Sequence, residues 1–450
     1  MASTRIDRRM FLQRAAVGAA ALPAMGALTS ARSAAAPAAQ AVELEFWSPA
    51  NDPVGAPIIT GLGDDFNNTI GTEKGIHVNV RIKPVPDNGD YTQYTTATTS
   101  SGSPDVIMTY EYTPVAAWAA NGFIKPIDQY AEAAGIKEED FLPVAWSCLN
   151  FADHIWGLLQ EFDFRELFAN TAIHSGPPPK TFDELDALAA EYTTFDDSGN
   201  LVQAGCIPWL GFNGLIWNAQ FGGQFYDTSA RKWTIDAPEN AQFLHWFLKY
   251  VDLFGGREKS DALESSVPQD FGDIFQYGKV AFALEGEWVP AQMKAQGLDV
   301  PYAVVHPPTA AEVPYGTNTT QGGNLFLLPA NAPHPEEAAV LIQYLGSKDG
   351  VLKWCLPAEN LPPVKDAALD PSFVQQLPHL KPWIDTIEFD HIFPPSPSPQ
   401  LPLFTQLMYN AIDEVTYKQK SPEDALSEVA QKIADEVGRF QQAHPDWDGE

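Results

Sequence analysis

Two kinds of residue in this chain are spaced to do chemistry: acids two positions apart, and tryptophans set beside polar residues. Glu161 with Asp163 and Glu285 with Glu287 are the acid pairs. A glycosidase needs two carboxylates flanking its sugar. Residues at i and i+2 of a strand face the same way, about 7 Å apart, so the members of each pair stand on one side of a ligand rather than astride it. In a chain with 58 acidic residues, neighbouring acids are also what chance supplies. The sequence carries no GxSxG elbow, no HExxH, no Walker loop and no GxGxxG after a strand. These absences point to binding without catalysis, with no cofactor. Cys148, Cys206 and Cys355 lie far apart with no metal-ligand spacing; one disulfide among them is open, and its pairing is not fixed by sequence.

The tryptophans are more informative. There are twelve, and Trp47, Trp209, Trp217 and Trp288 fall beside polar residues at the ends of expected strands. A sugar presents a face of C–H groups and a rim of hydroxyls, so its site combines flat aromatic platforms with Asp, Glu, Asn and Gln partners.

Strand-like and helix-like stretches alternate from about residue 42 onward, which predicts an α/β protein with largely parallel sheets. Val42, Leu44 and Phe46 alternate with Glu43 and Glu45, and Val78, Val80 and Ile82 alternate with Asn79 and Arg81. A helix over Gly61 to Asn67 makes these a βαβ unit. A third strand is expected from Asp105 to Met108 and a helix from Pro114 to Ala120. Thr181 and Glu184 form a capping box, and Ser421, Pro422 and Asp424 open the last helix. The run FPPSPSPQLPLF, Phe393 to Phe404, reads as a rigid extended connection near a ligand cleft.

Composition narrows the partners. The segment RIDRRMFLQR, with Arg8 and Arg9 side by side before a weakly apolar stretch from Ala15 to Leu28, resembles a twin-arginine (Tat) export signal with small residues for cleavage. No cysteine stands near the cleavage region, so a lipid anchor is not expected, and the protein is placed in the periplasm or outside the cell. Leaving out the first 41 residues removes five arginines and one aspartate and takes the formal charge from −31 to about −35. A surface this acidic repels nucleic acid and anionic lipid. It suits a neutral or cationic ligand.

Seven segments, in order, resemble the extracellular solute-binding proteins of family 1, the maltose-binding-protein-like sugar receptors of ABC importers. They are LEFWSPAN (Leu44 to Asn51), SPDVIMTYEYTPVAAWAANGFIKPID (Ser103 to Asp128), IWGLLQEFDFRELFANTAI (Ile155 to Ile173) and PKTFDEL, followed by FQYGKVAFALEGEW (Phe275 to Trp288), QGGNLFLLPANAPHPEEAAVLIQYL (Gln321 to Leu345) and LPPVKDAALD. The family's YNK is reduced here to Asn170 between Ala169 and Thr171, and the glycine of its G-x-x-P turn is missing.

The resemblance implies two α/β lobes, about 42–158 with 306–362 and about 159–305 with 363–450. It implies three crossovers, a ligand held between the lobes, a permease partner and a monomer. By position, Trp288 becomes a stacking platform. Asp163 becomes an acceptor of hydroxyls, Glu161 joins it in the site, and Tyr110 and Glu111 come from the opposite lobe. Trp47, Trp209, Phe212, Asn213, Trp217, Gln321, Gly322, Gly323 and Phe404 complete the implied site. Two alternatives stay open: a secreted glycoside hydrolase or polysaccharide-binding protein, and a polyamine- or cation-binding protein of the same fold that uses Glu111, Glu161 and Asp163.

Overall fold

The computed structural model describes residues 41–447, apart from 87–88, 212, 269–273, 321 and 388–390. The twin-arginine segment, Phe212 and Gln321 lie outside the described residues.

Val42–Ser48 buries Leu44 and Phe46 and turns Glu43 and Glu45 outward. It pairs in parallel with Ile76–Ile82, Leu44 opposite Val78, and on its other edge with Val106–Thr109. The linking helix, Gly55–Phe66, begins six residues earlier than the apolar pattern suggests. The reason is Asp52, whose Oδ1 accepts from the backbone N–H of both Val54 and Gly55 and so supplies the start signal. Gly63 lets this helix lie against the sheet, since a Cβ there would stand 2.5 Å from a Val80 methyl. Leu325–Pro329 then adds antiparallel to Val106–Thr109 and also meets Gly157–Leu159 and Ile124–Lys125.

A second sheet follows the order Tyr302–Val305, Glu166–Asn170, Val280–Glu285, Leu201–Cys206, Thr194–Phe195. Its two central strands are buried at every position, as expected for strands covered on both faces. Phe182–Tyr192 packs on this sheet. Its capping box is formed, with Glu184 N–H donating to Thr181 Oγ1 at 3.2 Å and Thr181 N–H to Glu184 Oε2 at 3.3 Å.

The expectation of largely parallel sheets needs correction. Only Val42–Ser48 with its two neighbours and the pair Leu201–Cys206 with Val280–Glu285 run parallel within these sheets. Leu325–Pro329 and Glu166–Asn170 arrive along segments crossing from one sheet to the other, and each enters in the reverse direction. The alternation of helix and strand does not record that reversal. The Pro-rich run is likewise only partly extended: Phe393 pairs with Thr319, but the last four residues begin helix Leu401–Thr416. Pro402 fits that helix's first turn, where no intrahelical N–H is needed. The final helix, Pro422–Ala443, is capped by Ser421 as anticipated. All three cysteines are buried and free, so the disulfide left open by the sequence is not formed.

Candidate functional site

The segment between Gly157–Leu159 and Glu166–Asn170 connects the two sheets. Along it Phe162 and Phe164 point into the core, fully buried, and the alternation of the chain sends Glu161, Asp163 and Arg165 the other way. The backbone is held from both sides: Phe162 bridges Leu361, and Asp163 bridges Gly322. Gly322 and Gly323 have φ of +103° and +131°, a region that favours glycine. A Cβ on Gly323 would stand 2.3 Å from the Glu161 carbonyl oxygen. These two glycines therefore set the acids in place from behind; neither lines the cavity.

That cavity measures about 1070 Å³. Six of the expected site residues line it: Tyr110, Glu111, Glu161, Asp163, Trp209 and Trp288. Tyr110 and Glu111 follow strand Val106–Thr109. The Tyr110 hydroxyl donates to Asp52 Oδ2 at 3.2 Å, and its N–H donates to Tyr91 Oη at 2.9 Å. Thr113 Oγ1 donates to Glu111 Oε2 at 2.7 Å. Trp288 follows strand Val280–Glu285. Its ring folds over Gly286, where any Cβ would lie 2.1 Å from the indole, and the Arg165 guanidinium lies 4.3 Å from the ring centroid. Arg165 Nη1 also donates to Asp163 Oδ2 at 2.7 Å. Acid, guanidinium and indole form one unit.

Electrostatics here are set by burial. Glu161 Oε1 accepts from Asn324 N–H at 2.7 Å, and Glu287 Oε1 accepts from Asn360 Nδ2 at 3.0 Å. Burial, with Asp163 and Glu287 close by, holds Glu161 well above the usual carboxylate range. Glu287 is pushed up to about 8, by burial first and then by the charge of Asp163. Burial also raises Glu111, against the opposing effect of its Thr113 hydrogen bond. Among the described residues, Glu161 Oε2, Asp163 Oδ1, Glu287 Oε2 and Trp209 Nε1 have no hydrogen-bond partner. Buried polar atoms are seldom left so.

The other expected residues lie elsewhere. Trp217 is 1% exposed and sits in the core between Phe182 and Trp246, 4.8 Å from the latter. Trp47 packs edge-on against Tyr94 under Lys83, away from the cavity. Phe404 packs on Trp233 and Phe225 beside a second, smaller pocket. Asn213 begins a short helical turn. Trp209, although it lines the cavity, is only 4% exposed, and Arg257 lies 5.0 Å from its ring.

Several lining residues were not anticipated. Trp354 and Asn360 belong to the returning segment, with Trp354 Nε1 donating to Asn360 Oδ1 at 2.9 Å. Gln406, Tyr409 and Asn410 come from helix Leu401–Thr416. Arg165 alone had a visible signal, since it continues the period-two alternation of EFDFR.

A family model described as bacterial extracellular solute-binding protein matches residues 62–382. Among solved structures, the chain is similar to CpMnBP1 with mannotriose bound: 22% identity and a TM-score of 0.76, covering 87% of this chain and 99% of that one. It is similar to the maltose/maltodextrin-binding domain MalE from Bdellovibrio bacteriovorus bound to maltotriose, at 19% identity and a TM-score of 0.70 over 88% and 100% of the two chains. An ABC substrate-binding protein from Listeria monocytogenes in complex with cycloalternan gives 16%, 0.71, and coverage of 88% and 99%. At such identities the likeness is one of fold, the two-lobed α/β architecture with a cleft. Because the family match spans well over half the chain and includes most strands of both sheets, this protein belongs to the bacterial extracellular solute-binding proteins.

Proposed function

We propose that this protein captures a neutral oligosaccharide in the large cleft, leaves it chemically intact and delivers it to an ABC importer after Tat-dependent export. The observation that carries the reading is the wall made by Glu161, Asp163 and Trp288, with Tyr110, Trp209 and Trp354 among the other residues that line the same cavity. Stacking faces combined with hydrogen-bonding acids match the two chemical sides of a sugar. A volume of about 1070 Å³ is at the upper end of ordinary ligand pockets, which suits several sugar rings better than one.

The charge balance favours a neutral ligand over a polyamine. Asp163 is paired with Arg165, and burial raises Glu161 and Glu287 above the usual carboxylate range, which disfavours their charged forms. Glu161 and Asp163 also stand two residues apart on one extended connecting segment, so this pair does not straddle a ligand, which supports capture over hydrolysis. The lobes, about 42–158 with 306–362 and about 159–305 with 363–450, would close by hinging where the crossovers lie side by side, at Phe162 with Leu361 and Asp163 with Gly322. The three solved relatives named above, each bound to a sugar oligomer, support the same reading.

A thermal-shift panel of oligosaccharides, sugar alcohols, amino acids and polyamines tests it, because a ligand that binds only the folded state raises the melting temperature. A shift with one oligosaccharide class and none with polyamines is expected. A shift with polyamines alone, lost in about 0.5 M salt where charge attraction is screened, would replace the sugar reading with the cation one.

A further inference from the structure

Beside the main cleft lies a second cavity of about 180 Å³. The two share four lining residues, Glu111, Thr113, Thr405 and Tyr409, so they adjoin at these side chains. At this size it is too small for a whole ligand of ordinary dimensions and large enough for a substituent.

Its walls differ in chemistry from those of the cleft. Phe225, Tyr226, Trp233, Phe393 and Phe404 line it, with Leu215 beside them. The aromatic rings are locked together: Trp233 lies 4.6 Å from Phe404, Phe225 5.1 Å from Phe404, and Tyr226 5.2 Å from Trp233. Four of the hydroxyls at this pocket are already engaged. Thr319 Oγ1 donates to the Phe393 carbonyl at 3.2 Å, and Thr320 Oγ1 donates to the Asp163 carbonyl. Thr113 Oγ1 donates to Glu111, and Ser396 Oγ accepts from Ser398 N–H at 3.2 Å. A second sugar ring set against these aromatic faces would lose water from its hydroxyls without gaining hydrogen bonds from the rings. A flat apolar group would incur no such cost and would gain the burial of its surface.

We propose that this side pocket takes the apolar aglycone of a glycoside, an aryl or alkyl group attached to the sugar held in the main cleft. The proposal rests on the reading that the cleft holds a sugar. The preferred ligand is then a substituted oligosaccharide rather than a bare one, with its sugar part against Trp288 and its aglycone among Phe225, Trp233 and Phe404.

Calorimetric titration with mannotriose, maltotriose and the p-nitrophenyl glycoside of each tests the proposal on the full chain. In the wild type, the aryl glycoside of the series that binds should bind at least about tenfold more tightly than its parent. Leu215→Trp fills the pocket from its wall, and Thr228→Trp fills it from an exposed position where folding is not at stake. Either variant should bring the aryl glycoside to within about twofold of the parent while leaving the parent's Kd unchanged. An aryl glycoside no tighter than its parent, or one that keeps its advantage in the folded filled variants, overturns the side-pocket proposal and leaves sugar capture standing. Failure of both sugars and both glycosides to bind overturns the capture reading and this proposal together.

Discussion

Arg165 is the residue on which the cleft wall turns. It neutralises Asp163, lies over Trp288 and is buried with Asp163. Removing one member of a buried ion pair leaves its partner's charge without compensation. Arg165→Met should therefore cost about 3–5 kcal/mol of stability, measured by urea unfolding, and the double change with Asp163→Asn should recover part of that loss. Glu287 makes a prediction of opposite character. Its carboxyl holds a proton up to about pH 8 in the folded chain and only to about 4.5 when unfolded. At this group the folded state thus binds more protons between these values, so the stability that Glu287 contributes is fullest below about 4.5 and is lost as pH rises towards 8. Melting temperatures across that window should show the fall. Glu287→Gln keeps an acceptor for Asn360 and should flatten the fall, with its largest stabilisation at the alkaline end.

At the scale of elements, the turn after Val280–Glu285 does the aiming. Gly286 leaves room for the indole to fold back over the chain, and a methyl there would stand 2.1 Å from it. Gly286→Ala should shift the Trp288 ring and weaken sugar binding about tenfold, which corresponds to the worth of a good aromatic contact. Thr181→Ala serves as the contrast: loss of that cap should lower stability by about 1 kcal/mol and leave affinity unchanged, since its helix packs on the second sheet and contributes nothing to the cleft lining. The capping box was legible in the sequence because its signal is local. So was the common facing of Glu161 and Asp163, because a period of two fixes facing wherever the chain is extended; Arg165 continues that alternation and was not read from it. Trp209 and Trp217 show where legibility stops. Both follow the same strand, yet one lines the cavity and the other is sealed between Phe182 and Trp246. Tertiary packing decided between them. The reversed strands are a similar case, since the direction in which a strand enters a sheet depends on where a crossover lands.

At the scale of the whole molecule, function depends on segments far apart in sequence meeting at one place. Glu161 is tied to Asn324, Glu287 to Asn360, Phe162 to Leu361 and Asp163 to Gly322. Local pattern could place each segment near a strand end, but the partnerships between them, and the contribution of Gln406, Tyr409 and Asn410 from helix Leu401–Thr416, required the fold. If the crossovers act as hinges, saturating ligand should lower the radius of gyration in solution scattering, and an unchanged profile would remove hinge closure from the mechanism. The central claim, capture without turnover, is tested most directly by calorimetric titration of mannotriose and maltotriose with recovery of the sugar afterwards. Saturable one-to-one binding of one of the two, with the trisaccharide recovered intact, is the predicted result. Absence of binding by both, or recovery of shorter sugars at a rate far above buffer, would contradict it.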